Sequence, residues 1–158
     1  MNFVAQLFSP NEVLLDLEVL DKHALFEVVG RLWQEQHGLP AVEVAANLSA
    51  REKLGSTGLG QGVAIPHARM QGLTLAVAAF VRPKLPIEFD APDGNPVACF
   101  FLLLAPELAT EQHLHILSKV AEMLSKEQFR SQIALATTAD EIHQLFAACE
   151  GAMADGNR

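Results

Sequence analysis

Cations are scarce in this chain: 11 Lys+Arg stand against 19 Asp+Glu over 158 residues, a formal net charge of −8. Sequence-independent nucleic-acid binding needs clustered cations to neutralise phosphates, so it is excluded as a function, and anionic membrane surfaces are disfavoured for the same reason. Cysteine is nearly absent, and Cys99 and Cys149 have neither metal-site nor redox-motif spacing, so both are expected to be reduced packing residues. No stretch reaches the roughly 18 uninterrupted apolar residues of a membrane span. The N-terminal Met1-Asn2-Phe3-Val4-Ala5 lacks a basic segment with a long apolar run behind it. The expectation is a soluble, cytoplasmic protein without membrane insertion. Internal repeats, low-complexity segments and interdomain linkers are also lacking.

Half of the residues are apolar and 19% are charged, in a chain of 17.1 kDa. A chain of this size buries about 68–70% of its extended surface, so one domain with an ordered core is expected over residues 1–149. Residues 150–158, rich in Gly, Ala and polar side chains, read as a flexible C-terminal tail.

Residues 13–19 form an apolar-rich candidate strand. Ala24, Leu25, Val28, Val29, Leu32 and Trp33 then recur at helical spacing, with Asp21 placed to cap and Gly38 to terminate. Pro40 opens a second helix with Val42, Ala45, Ala46 and Ser49 on one face and Arg51 at its end. The middle of the chain changes character. Apolar runs at 63–65, 73–81, 87–89 and 97–104, broken by prolines, predict strands, and the unbroken apolarity of Ala98 to Leu104 predicts a strand buried on both faces. Helices on both sides of a sheet follow, giving an α/β fold of three-layer α/β/α sandwich type.

Three further helical stripes lie beyond Pro106: Leu114, Leu117, Val120, Ala121 and Leu124; Phe129 and Ile133; and Ile142, Leu145, Phe146 and Cys149. Ser125 with Gln128, and Thr138 with Glu141, fit the capping box, while Thr110 is a candidate N-cap that makes His113 the third residue of its helix.

Chemistry concentrates around residues 51–69. Arg51-Glu52-Lys53-Leu54-Gly55-Ser56-Thr57-Gly58-Leu59-Gly60-Gln61-Gly62 combines glycines, hydroxyls and cations, the ingredients of an anion site. No Gly-Lys-Ser/Thr closes it into a Walker loop, and the apolar run follows the glycines where a dinucleotide fingerprint needs it to precede them. His67 follows at once, stiffened by Pro66, and is the candidate nucleophile. His113 is the second candidate, because the positive end of a helix dipole disfavours its protonation and attracts anions. His113 and His115 stand two apart and so point in nearly opposite directions on a helix, which disfavours a metal pair, and no ligand cluster completes a coordination set. Ser56 lacks a nucleophile elbow, so a hydrolase triad has little support. Lys53 and Arg69 read as surface charges able to add field.

The pairing of residues 51–60 with Gly62-Val63-Ala64-Ile65-Pro66-His67 resembles the IIA domains of the fructose/mannitol class of the phosphoenolpyruvate-dependent phosphotransferase system, and most closely its nitrogen-regulatory members. The likeness extends through Pro86-Ile87-Glu88-Phe89-Asp90-Ala91, Phe101 to Pro106 and His113 to Ser118, covering roughly residues 10–148. One departure is Ala68, where the family often has glycine.

The resemblance implies a mixed sheet between helices and a reversibly phosphorylated histidine. It implies His67 as the phosphorylated residue, Arg51 as its phosphoryl-binding arginine and His113 as the second active-site histidine. The loop residues Ser56, Thr57, Gly58, Gly60 and Gly62 are expected to bind the phosphoryl group with them, and no cofactor or metal is required. The implied partners are an upstream His-containing phosphocarrier and regulatory targets such as potassium transport systems or sensor kinases. Two other readings stay open: a sugar-specific IIA component that passes phosphate to a separate IIB, and a non-catalytic protein-binding module on the same fold. A metal-dependent enzyme is the least supported.

Overall fold

The computed structural model describes residues 3–108 and 110–156. Its first strand, β1 (Val13–Leu17), leads into helix α1 (Lys22–His37). Asp21 caps α1 by accepting from the Ala24 amide at 2.8 Å, and Gly38 ends it in the left-handed conformation at φ 71°. Helix α2 (Ala41–Lys53) follows, with Pro40 at its N-cap. Four short strands come next: β2 (Gly58–Gly60), β3 (Val63–Ala64), β4 (His67–Met70) and β5 (Val77–Pro83). The long β6 (Cys99–Pro106) precedes the helices α3 (Thr110–Leu124), α4 (Glu127–Leu135) and α5 (Ala139–Gly156).

The sheet runs in the order β1-β5-β6-β3-β2, with β4 also paired to β6. It is mixed: β1 with β5, and β3 and β4 with β6, are parallel, whereas β5 with β6 and β2 with β3 are antiparallel. β6 is buried along nearly its whole length because helices cover both faces. One face carries Phe80, Phe101 and Leu103 against α3, α4 and α5; the other carries Phe100, Leu102 and Leu104 against α1 and α2. The α/β/α layering is as the apolar run in β6 predicts.

Several local expectations are corrected. Ile87 and Val97 form only an isolated bridge, so 87–89 is not a strand of the sheet. On α2 the buried row is Val44, Leu48 and Glu52, and Val42 is 86% exposed, because the i, i+4 row from Val44 faces the core and a residue two positions from it points roughly the opposite way. On α3 the buried row is His113, Ile116, Val120 and Met123 with Leu124, and Leu114 is 58% exposed. A polar residue at the head of the row hid it from a hydrophobic pattern.

Ser125 does not cap α4; its hydroxyl donates to the Glu122 carbonyl, and Lys126 is the N-cap. Thr138 does accept from the Glu141 amide, but the Glu141 carboxylate accepts from the Thr137 amide. Thr110 is the first residue of α3 and not its cap, which makes His113 the fourth.

The expected tail from residue 150 is instead helical through Gly156, and residues 157–158 lie outside the described residues. Glu150 is 0% exposed because its carboxylate accepts the Val4 amide at 2.9 Å and the Ala5 amide at 3.2 Å, strapping the N-terminal segment to α5.

Candidate phosphoryl-transfer site

β3 and β4 are one strand line interrupted at Ile65-Pro66. Val63 pairs with Cys99 and His67 with Leu103 in unchanged register, so the break is local and follows from the missing N–H of Pro66. Among the described residues β4 pairs with β6 alone, leaving its other edge open. Helices from both layers reach over that edge. α2 contributes Arg51 from one layer and α3 contributes His113 from the other, and both line a cavity of about 630 Å³ with His67 and Arg69. A larger hollow of about 1250 Å³ between α1 and α2 contains neither imidazole.

Within the cavity the His67 and His113 rings lie 5.3 Å apart between centroids, inclined at 57°. His67 Nδ1 sits 2.8 Å from the Ile65 carbonyl. A carbonyl can only accept, so Nδ1 carries the proton and donates, and the lone pair is left on Nε2. Arg51 Nη1 donates to the Gly55 carbonyl at 3.0 Å, and Arg69 Nη1 donates to Thr110 Oγ1 at 3.0 Å.

Burial holds the His67 pKa below its usual value; the Ile65 carbonyl opposes this, Arg51 and Arg69 add to it, and the Glu52 carboxylate opposes it. His113 is pushed down to about 4, first by burial and then by His67, Arg69 and Arg51. Its Nδ1 is buried with no hydrogen-bond partner among the described residues. An unpartnered acceptor is less costly to bury than an unpartnered charged donor, which favours a neutral ring with its proton on Nε2. Two neutral imidazoles between two guanidiniums form a basin that attracts an anion while keeping a nucleophilic nitrogen.

Residues 6–149 match the family of phosphoenolpyruvate-dependent sugar phosphotransferase system EIIA 2 domains. The chain belongs to this family. A nitrogen regulatory protein of Pseudomonas aeruginosa is 39% identical over 141 residues, covering 89% of this chain and 92% of that protein. The crystal structure of nitrogen regulatory protein IIA-Ntr from Neisseria meningitidis matches at TM-score 0.87 and 44% identity, over 91% of this chain and 99% of that one. The crystal structure of mannitol IIA from Escherichia coli, 19% identical, shares the fold at TM-score 0.70 over 87% and 97% of the two chains. The chain is thus a phosphotransferase-system IIA protein of the regulatory kind.

The structure brings His67, Arg51 and His113 of this IIA protein together but keeps the 56–62 loop out of the cavity wall. Its donors are engaged elsewhere. Ser56 Oγ donates to the Phe89 carbonyl at 2.6 Å, Thr57 gives both its amide and its hydroxyl to Glu52, and the Gly58 amide donates to Ser56 Oγ. Gly58 is small for packing: a Cβ there would lie 3.0 Å from the Ala91 Cβ. Gly60 and Gly62, with φ of 81° and 77°, turn the β2–β3 hairpin. Ser56, Thr57, Gly58, Gly60 and Gly62 therefore lie outside the cavity lining, and the donors of Ser56, Thr57 and Gly58 are spent within the scaffold behind it.

Arg69, read from the sequence as a surface charge able to add field, is exposed and lines the cavity beside His67. Its signal was the period-two alternation of His67-Ala68-Arg69-Met70, which puts Arg69 on the face of His67 while Ala68 and Met70 are buried. Among the described residues no group of three or more His, Cys, Asp or Glu is placed to hold a metal ion, and no helix is long and apolar enough to cross a membrane. Cys99 and Cys149 are free thiols, both pushed up by burial, Cys99 to about 11.

The His113 environment has a consequence for stability. Its folded pKa lies below the unfolded value, so the stabilisation is complete above pH 6.5 and is lost as pH falls from 6.5 toward 4, where the unfolded chain takes up the proton first. The loss attributable to this ring is at most roughly 3 kcal/mol. Denaturant unfolding at pH 7 and pH 4.5 is expected to show wild type weakening on acidification, with a shallower drop in His113→Gln.

Proposed function

We propose that His67 Nε2 accepts a phosphoryl group from the phosphohistidine of an upstream carrier protein, and that the phosphorylation state of the chain governs its binding to regulatory partners. The observation that carries this reading is the commitment of His67 Nδ1 to the Ile65 carbonyl, which aims the lone pair of Nε2 into a cavity shared with His113, Arg51 and Arg69. The Nε2 lone pair forms the new N–P bond as the donor imidazole leaves with the electrons of the old one. The proton stays on Nδ1, donated to the Ile65 carbonyl.

Transfer between two imidazoles exchanges like bonds, so catalysis here consists of in-line positioning and stabilisation of the equatorial oxygens. Arg51 and Arg69 supply charge, and neutral His113 supplies an Nε2–H donor. The bound group brings about −1.5 to −2 charge and offsets the cationic contribution of Arg69 and Arg51 that adds to burial in holding His113 down. No nucleotide or metal takes part in this scheme.

Incubation with phosphoenolpyruvate and the purified upstream carriers tests the reading. Acid-labile, alkali-stable phosphate on the wild-type chain supports it, and no incorporation would leave a protein-binding module. A charge-assisted hydrogen bond contributes about 1.5–3 kcal/mol, so Arg51→Ala is expected to slow uptake by roughly 10- to 100-fold in single-turnover kinetics. Regulatory partners of the potassium-transport or sensor-kinase type, in the cytoplasm, are the proposed readers of the phosphorylated state. Near-full-length identity to nitrogen regulatory proteins favours this over a sugar-specific role with a separate IIB.

A further inference from the structure

We propose that Glu52 is the positioning residue of this site, the buried side chain that sets the stance of His67. The proposal rests on the phosphotransfer reading above. The Glu52 side chain is only 4% exposed, although it neighbours Arg51 in sequence and does not line the cavity. A carboxylate buried this far needs partners, and it has three. Oε1 accepts the Thr57 amide at 3.1 Å and Lys22 Nζ at 3.5 Å, and Oε2 accepts the Thr57 hydroxyl at 2.7 Å. Lys22 is itself placed by Asp90 at 3.2 Å and by the Phe89 ring, whose centroid lies 4.6 Å away.

One chain of hydrogen bonds leaves this anchor, and a second leaves the main chain of the same residue. In the first, the Thr57 carbonyl accepts the Ile65 amide at 3.1 Å, and the Ile65 carbonyl accepts His67 Nδ1–H at 2.8 Å. In the second, the Glu52 carbonyl accepts the Gly55 amide at 3.2 Å, and the Gly55 carbonyl accepts Arg51 Nη1 at 3.0 Å. The buried carboxylate thereby holds, through Thr57, the acceptor that selects the His67 tautomer, while the main chain of Glu52 holds the carbonyl that aims the Arg51 guanidinium.

Its charge acts on His67 as well. The charged and titratable groups around the cavity are Glu43, Arg51 and Glu52 on α2, Arg69 on β4, Glu107 after β6, and His113 on α3. Among those acting on His67, Glu52 is the anion that opposes burial and the two guanidiniums. Basicity at Nε2 and orientation of the ring thus meet in one residue.

The test is Glu52→Gln, which keeps the shape and an acceptor for the Thr57 amide but removes the charge. In unphosphorylated protein, an NMR titration of His67 is expected to show its midpoint at lower pH than in wild type. Phosphoryl uptake at pH 7 is expected to fall roughly tenfold in kcat with KM for the carrier nearly unchanged, and Glu52→Asp to restore the titration midpoint. A folded Glu52→Gln with unchanged midpoint and unchanged kcat overturns the proposal. If that variant does not fold, Lys22→Met replaces it: removal of the counter-cation is expected to move the His67 midpoint upward, and an unchanged midpoint again overturns the proposal. The titration needs no phosphoryl donor, so it reads Glu52 alone. A wild type that takes up no phosphoryl group on His67 counts against the phosphotransfer reading instead.

Discussion

His67→Ala is expected to reduce phosphoryl uptake from phosphoenolpyruvate and the upstream carriers to background and to leave the fold intact. The loss is expected to be complete because the other imidazole of the cavity is not placed to substitute. His113 is 4% exposed, its Nδ1 is enclosed, and its pKa near 4 marks a ring held neutral by burial beside cationic groups and not one presented to a docking protein. A covalent route without its nucleophile retains only the positioning part of catalysis, and positioning has nothing to act on when the acceptor atom is absent. The fold survives because His67 stands half-buried at the mouth of the cavity and makes one backbone hydrogen bond, with Ile65. Losing such a bond costs about 0.5–1.5 kcal/mol. Radiolabel incorporation with equal circular dichroism for the two proteins checks both halves of this expectation.

Phe146→Ala is the largest expected loss of stability. The Phe146 ring is fully buried where the N-terminal segment, the sheet, α4 and α5 meet, with centroids of Phe8, Phe80, Phe101 and Phe129 at 5.4, 5.7, 5.5 and 5.0 Å. Truncating a phenylalanine in such a place costs about 3–5 kcal/mol, because the cavity left behind adds to the lost transfer energy. Against a total stability of about 5–15 kcal/mol this is a large fraction. The urea midpoint is expected to fall by roughly 2 M, given a slope of about 1–3 kcal/mol per molar. Phosphoryl uptake per folded molecule is expected to stay near wild type, since none of these rings lines the His67 cavity.

The frame of this fold was legible wherever a periodic apolar pattern also decided burial. The β6 run, the α1 stripe with its Asp21 and Gly38 ends, and the Phe129/Ile133 and Ile142/Phe146 rows all lie where spacing places them. Patterns failed where a polar group belongs to the interior. His113 heads the buried row of α3, Glu52 ends that of α2, and Glu150 is buried by backbone amides 146 and 145 residues away, a partner no local window contains.

The site was legible in its three main residues but not in its supports. His67 and Arg51 stand out because proline and glycine punctuate their surroundings, and His113 because it falls in the first turn of a helix; the resemblance then assigned the three their roles. Arg69 was read as a surface charge able to add field, but its place beside His67 was hidden because Pro66 ended the apolar run and concealed the strand that continues beyond it. The loop at 56–62 misled for a related reason. Glycines and hydroxyls are equally the ingredients of an anion cradle and of a tight hairpin, and only the positions of Glu52, Phe89 and Ala91 decide between the two.

The most direct test of the account is the identity of the phosphorylated nitrogen. Correlation NMR between phosphorus and the imidazole nitrogens of ¹⁵N-labelled, phosphorylated protein is expected to place the phosphoryl group on Nε2 of His67, with Nδ1 still protonated and hydrogen-bonded to the Ile65 carbonyl. A phosphoryl group on Nδ1 of His67, or on any other histidine, would contradict the account.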